Sequence, residues 1–183
     1  MSPKNRLGLI LLLTLVIRFI QLGQPLWLDE AAQVMESSRT FQQQLNLDQD
    51  FQPPLFHLYL HFLLYWSKSE WFLRLFSSVL FYLVGTYFFY LLAKKYFKLK
   101  VIELTLFFLA FSSFAIYFSQ ELRPYSLSFM LALMSWYFLE SSKNPLGKWA
   151  IVSIFGLLSS YVYVVVFFSQ ILYLLLFLKT SIV

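Results

Sequence analysis

The 183 residues are 60% hydrophobic and 21% aromatic but only 13% charged, with mean hydropathy +0.68, a balance that excludes an ordinary soluble domain. A net charge of +5 would suggest nucleic acid in a soluble protein; here loops obeying the positive-inside rule account for it, and no nucleic-acid partner is expected. The absence of cysteine removes disulfides, thiolate chemistry and cysteine-ligated zinc.

The first apolar run, read as a span over 7–23, follows Lys4 and Arg6. No small-residue cleavage site follows it, so it reads as a retained signal-anchor with its basic end inside. It stops at Gly23-Gln24-Pro25, and Arg18, about one turn earlier, is close enough to snorkel outward. Trp27 suits a membrane interface, and Asp29 suits the cap of a helix beginning at Glu30. In that helix Ala31, Met35, Ser38 or Phe41, and Leu45 recur at helical spacing, against Gln33, Glu36, Gln43 and Gln44. This predicts an amphipathic helix on the membrane surface. Capping alone needs one carboxylate; Asp29 and Glu30 supply two where an apolar run ends, which points to function.

Asn46 to Gln52 is polar and acidic, and Pro53-Pro54 starts another helix, Pro54 suiting its first turn. Leu55 to Trp66 is too short to cross a bilayer comfortably. It carries His57 and His61 one turn apart, which could share a metal or simply hydrogen-bond at the interface. The next run, 71–93, is long enough and ends in a loop with Lys94, Lys95, Lys98 and Lys100. If the Pro54 helix crossed, those lysines would lie outside; the charge rule makes it non-spanning or re-entrant. Further spans are then 101–119 and 124–140. The inside collects Lys4, Arg6, Lys94, Lys95, Lys98, Lys100, Lys143, Lys148 and Lys179, and the outside Asp29, Glu30, Glu36, Asp48, Asp50, Glu70 and Glu121. After a turn at Asn144-Pro145-Leu146-Gly147, residues 149–178 read as two short spans meeting near Ser160 or as one long tilted helix. The expected fold is all-α: a polytopic bundle of about six spans, 1–183 forming one transmembrane domain, with juxtamembrane helices in a first outer loop over 24–70.

This topology gathers Arg18, Asp29, Glu30, Glu70, Arg74, Glu121, Arg123 and Tyr125 at the outer span ends. Pro124 disfavours a helical Arg123, placing Glu121 and Arg123 in a tight turn. Carboxylates and guanidinium groups on the rim of an apolar bundle suit a substrate with an anionic head and a greasy tail, such as a lipid phosphate. A desolvated, ionised carboxylate can take a proton from an attacking hydroxyl, and arginine forks match phosphate oxygens. Arg18 and Arg74 could instead merely snorkel, and Glu121 with Arg123 could be an exposed loop pair. His57, near Pro54 and the polar loop, is the likelier substrate contact of the two histidines.

The ordered motifs Trp27-Leu28-Asp29-Glu30-Ala31, Pro53-Pro54-Leu55, Ser69-Glu70-Trp71-Phe72-Leu73-Arg74 and Ser119-Gln120-Glu121-Leu122-Arg123-Pro124-Tyr125 resemble the GT-C superfamily of membrane glycosyltransferases. The nearest look is to protein O-mannosyltransferases and lipid A aminoarabinose transferases. The resemblance implies transfer of a sugar, with inversion, from a polyprenyl-phosphate donor to an acceptor at the extracytoplasmic face of a prokaryotic cell membrane. By position it makes Asp29 the base with Glu30 beside it, Glu121 a further functional acid, and Arg74 and Arg123 neighbours of the donor phosphate. Relatives are usually longer, so the chain is expected to be the N-terminal part of a longer module, completed by a further membrane segment or subunit. Many relatives also carry a histidine near the tyrosine where this chain reads Ser159-Ser160-Tyr161. A divalent ion such as Mg²⁺ or Mn²⁺ could join carboxylates and phosphate, but no clear ligand set supplies it. Two other classes stay open: a transporter or channel subunit, whose charges would lie nearer the midplane, and a non-catalytic remnant or partner subunit of the same fold.

Overall fold

The computed structural model describes residues 3–45, 52–141 and 145–177, and every regular element among them is helical. Helix α1, Pro3–Phe19, stops where Gln21 adopts a left-handed conformation, φ 72°, ahead of Gly23 and Pro25. Between α1 and the next long helix come α2, Leu28–Ser37, α3, Phe41–Gln44, and α4, Pro54–Trp66. Pro54 sits at the start of α4, where its missing N–H costs no hydrogen bond. Helix α5, Glu70–Ala93, runs without interruption but widens to a π-turn at Leu75–Val79. Then come α6, Leu99–Phe111, α7, Ser113–Gln120, α8, Tyr125–Ser141, α9, Pro145–Ser159, and α10, Tyr163–Phe177.

The expected span 101–119 is two helices bent by 62°. Ser112 adopts an extended conformation and its hydroxyl accepts the Ala115 N–H at 3.3 Å, capping α7. A serine pair in an apolar run offers the backbone this alternative to continuing. The carbonyls left over at the end of α6, Leu109 and Ala110, are taken by the buried guanidinium of Arg18, at 3.1 and 3.3 Å.

Helix α8 lies between α5 and α9, α1 packs on α6, and α10 closes against α8 and α9. Phe56, Leu60 and Leu63 of α4 join Leu73, Leu122, Leu127, Leu131, Val152 and Tyr163 in the main core. Polar side chains tie the last three helices: Trp149 donates to Gln170 at 2.7 Å, Gln170 to Ser135 at 2.7 Å, and Tyr163 to Ser135 at 2.8 Å. The Tyr163 ring lies directly on Gly156, where a Cβ would sit 2.2 Å from it. That approach turns the chain back between α9 and α10, so 145–177 is two helices rather than one.

Among the described residues, helix α5 alone is long and apolar enough to cross a membrane; α6 and α7 pass the same test only as a bent pair, and α9 and α10 are shorter apolar helices. Large apolar side chains nonetheless face outward in stripes: Leu9, Leu12, Val16 and Ile20 after α1's start, Leu104, Phe107, Phe108 and Phe111 on α6, and Val165, Phe168, Leu172 and Leu175 on α10.

Charges divide between the two ends of the bundle. At one end Arg6 pairs with Glu103 at 3.1 Å, and Lys95 and Tyr96 bond to Glu140. At the other, Arg74, Glu30 and the turn after α7 meet. The two acids not assigned to the outer side are thus held by basic or phenolic groups at the opposite end. Lys143, Lys179, Asp48 and Asp50 lie outside the described residues, as do most of the acidic stretch 46–52 and Asn144. Pro145, Leu146 and Gly147 belong to the first turn of α9 instead of a loop turn.

The outer-loop helix differs from its expected form. It starts at Leu28 with Trp27 in the capping position, so Asp29 is not the cap. It breaks after Ser37, and its polar side is the buried one: Glu30, Gln33 and Ser37 face inward while Met35 is 72% exposed. The reason is the partner. Helix α4 presents histidines, and α5 presents an arginine, so the polar face gains more by turning in.

Candidate functional site

The centre of the end opposite Arg6 and Glu103 is the Glu30–Arg74 pair. Arg74 ends the first turns of α5, and Glu30 stands in the first turn of α2; both are nearly inaccessible. Arg74 Nε–H donates to Glu30 Oε1 at 2.9 Å and Nη2 to Oε2 at 2.5 Å, a two-pronged pair. The remaining donors reach the carbonyls of Leu22, Gln24 and Pro25, at 2.7, 2.5 and 3.3 Å. Glu30 Oε1 also accepts the Leu122 N–H at 2.8 Å, and Oε2 the Trp27 N–H at 3.4 Å. One ion pair therefore ties the end of α1, the start of α2, α5 and the turn after α7. A guanidinium so occupied has no fork left for a phosphate, which corrects the expectation for Arg74; Glu30 is a clamp for the same reason.

The turn itself is Glu121 to Pro124. Arg123 N–H donates to the Glu121 carbonyl at 2.8 Å, and the same carbonyl accepts from the Ser78 hydroxyl of the π-turn. Ser78 lies within the π-turn Leu75–Val79, four positions after Arg74; π-turns are frequent near functional sites. The Glu121 side chain is free of these backbone bonds. It is 94% buried by its 6% exposure, and Oε2 has no hydrogen-bond partner. Burial pushes its carboxyl up; the Tyr117 hydroxyl pulls it down, Glu30 raises it, Arg123 lowers it and Asp29 raises it.

Asp29 keeps solvent access, its side chain 45% exposed, and faces Arg123 Nη1 at 3.8 Å. Arg123 Nε is buried without a partner, and its guanidinium lies 5.9 Å from the centre of the Tyr125 ring. Asp29 and Arg123, 94 positions apart in the chain, are thereby neighbours, and Arg123 is the arginine with donors to spare.

Two cavities flank α7. A polar one of about 420 Å³ is lined by Gln21, Gln24, Pro25, Trp27, Glu30, Arg74, Tyr117, Gln120 and Glu121. An apolar one of about 510 Å³ is lined by Tyr82, Leu109, Phe114, Ala115, Phe118, Ser119, Tyr125, Ser126 and Phe129. Tyr117 and Gln120 face the first, Phe114 and Phe118 the second, so α7 is the wall between them.

Two expected site residues lie elsewhere. Arg18 is fully buried, spent on Thr14, Ala110 and Leu109 carbonyls and stacked 4.1 Å over Tyr82, so it does not snorkel outward. His57 is buried against α2, its Nδ1 2.7 Å from Gln33 and 3.3 Å from Ser37; His61 meets Gln44 and the Ser37 carbonyl. Both histidines fasten the outer-loop helices, and neither lines the polar cavity. Among the described residues no three His, Cys, Asp or Glu side chains are grouped to hold a metal ion. Glu70 opens α5 and is not part of the cluster.

The sequence reading missed Tyr117 and Gln120, although they precede Glu121 at helical spacing, and missed Trp27 and Gln21 as lining residues. Gln120 also donates to the Arg18 and Ile20 carbonyls, at 3.1 and 2.5 Å, joining α7 to the end of α1. Compared with protein-family models, curated proteins and solved structures, the chain has no match, so the chemistry of this end rests on its own residues.

Proposed function

We propose that the chain is a membrane glycosyltransferase of mannosyltransferase-like type, or the part of one that holds the site, moving a sugar from a polyprenyl phosphate to an acceptor at the extracytoplasmic face. The observation that carries this reading is the shared wall: a polar cavity with carboxylates and an apolar cavity stand on the two sides of α7, and Arg123, in the turn that follows, keeps an unpartnered Nε–H. A molecule with a sugar-phosphate head and an isoprenoid tail needs those three things together. Six spans, with the N-terminus inside and α2 to α4 outside, accord with the outward apolar stripes and with the division of charge between the bundle's ends.

In this reading Asp29 takes the proton of the acceptor hydroxyl as it attacks the anomeric carbon. Arg123 holds the phosphate, the apolar cavity holds the first part of the lipid, and Trp27 and the Gln21 and Gln24 amides border the sugar. Glu30 and Arg74 hold the walls at fixed separation, which is what positioning contributes to rate. The test uses the full chain in sealed vesicles supplied with a mannosyl polyprenyl phosphate. Release of polyprenyl phosphate with sugar appearing on an acceptor supports transfer; solute flux without sugar transfer would move the chain to the transporter class.

A further inference from the structure

Three carboxylates and two guanidinium groups meet at the outer end, and the two cations already have partners. Glu30 is neutralised by Arg74, and Asp29 faces Arg123. Glu121 is the carboxyl left over. It lines the polar cavity, it is buried, and its Oε2 has no partner. Its role in the turn is carried by its main chain alone, through Ser78 and Arg123 N–H. An anionic phosphate could not settle beside a buried, ionised carboxylate with one oxygen lacking a hydrogen bond without a large penalty.

We infer that Glu121 is the general acid of the transfer, carrying a proton that it gives to the phosphate oxygen as that oxygen leaves the sugar. The inference rests on the transferase reading and assigns opposite duties to the two acids. Environments that differ this far are how one site holds an acid and a base together. Asp29 is open to solvent and faces a cation; Glu121 is buried among Asp29 and Glu30 of α2, Arg74 of α5, Tyr117 of α7, and Arg123 and Tyr125 beyond it. Burial is the largest influence on its carboxyl and acts toward the protonated form.

The step balances. The acceptor O–H bond breaks and its proton goes to Asp29, while the acceptor oxygen bonds to the anomeric carbon. The bond from that carbon to the phosphate oxygen breaks, its electron pair stays on oxygen, and the Glu121 proton joins that oxygen. Asp29 is left protonated and Glu121 ionised, and exchange with water restores both.

The experiment follows release of farnesyl phosphate from β-mannosyl farnesyl phosphate by the full chain in membranes, across pH, for wild type, Glu121→Gln and Glu121→Asp. The inference expects wild-type turnover to fall on the alkaline side. Glu121→Gln should lose roughly 100-fold in kcat, keep its KM for the donor, and show no alkaline limb; Glu121→Asp should recover part of the rate and regain the limb. An unchanged alkaline limb in Glu121→Gln, or wild-type turnover in it, overturns the assignment and leaves the transferase reading standing. No release by wild type at any pH overturns both.

Discussion

Asp29 and Glu30 are neighbours in sequence and do different work. The helical turn sends Glu30 inward onto Arg74 and leaves Asp29 partly exposed and facing Arg123. Removing one member of a buried pair strands the other charge, so Arg74→Met should destabilise the protein by about 3–5 kcal/mol, read as a large fall in thermal midpoint in detergent. The Arg74→Met, Glu30→Gln double variant should recover part of the loss, which no substrate contact would do. Glu121 gives a pH dependence of stability. Its raised carboxyl holds a proton in the folded state over a range where the unfolded chain has lost it, so the stability it contributes is present below the ordinary glutamate range and is lost as pH rises through the raised value. The thermal midpoint of wild type should therefore decline across that window, and Glu121→Gln should flatten the decline. That two adjacent carboxylates stand just after the first apolar run was legible in the sequence. Which of them is spent on structure was not, because that depends on Arg74 arriving from 44 residues away and on four groups sharing its donors.

At the level of elements, the helices were legible wherever the apolar runs are long, and the bends were not. The short helix α4 was legible from Pro54 at its start and the short apolar run behind it, and it spans 13 residues. Spacing identifies the two faces of α2, but which face packs on the protein depends on what α4 and α5 present. The bend at Ser112 and the π-turn at Leu75–Val79 decide where Tyr117, Glu121 and Ser78 point, and both depend on bonds between distant segments. Arg18 is the support of the bend. Arg18→Leu leaves the Leu109 and Ala110 carbonyls without their guanidinium, and should cost about 1–3 kcal/mol together with donor turnover, while Arg18→Lys should restore stability in part. At the return between α9 and α10, Gly156→Ala puts a methyl against the Tyr163 ring; overpacking of that kind costs about 1–3 kcal/mol, measured as a lowered midpoint.

At the level of the whole molecule, two ends of unlike charge and an outward apolar surface suit the proposed placement of the chain in one orientation across a bilayer. The native chain has no cysteine, so single cysteines report sides cleanly. A cysteine replacing Lys98 should be reached by a charged maleimide only from the cytoplasm, and one replacing Gln43 only from outside; the opposite pattern would invert the topology. The arrangement also says why a small chain can present such a site. One ion pair at the centre draws four segments together, and the reactive groups stand around it without being consumed by it. The claim on which the rest depends is that Asp29 is the base of a sugar transfer. Initial rates of mannosyl transfer from a polyprenyl-phosphate donor, wild type against Asp29→Asn at equal folded amounts, address it directly. A fall of about 100-fold or more with donor affinity kept is the expected result, and transfer at the wild-type rate by Asp29→Asn would contradict it.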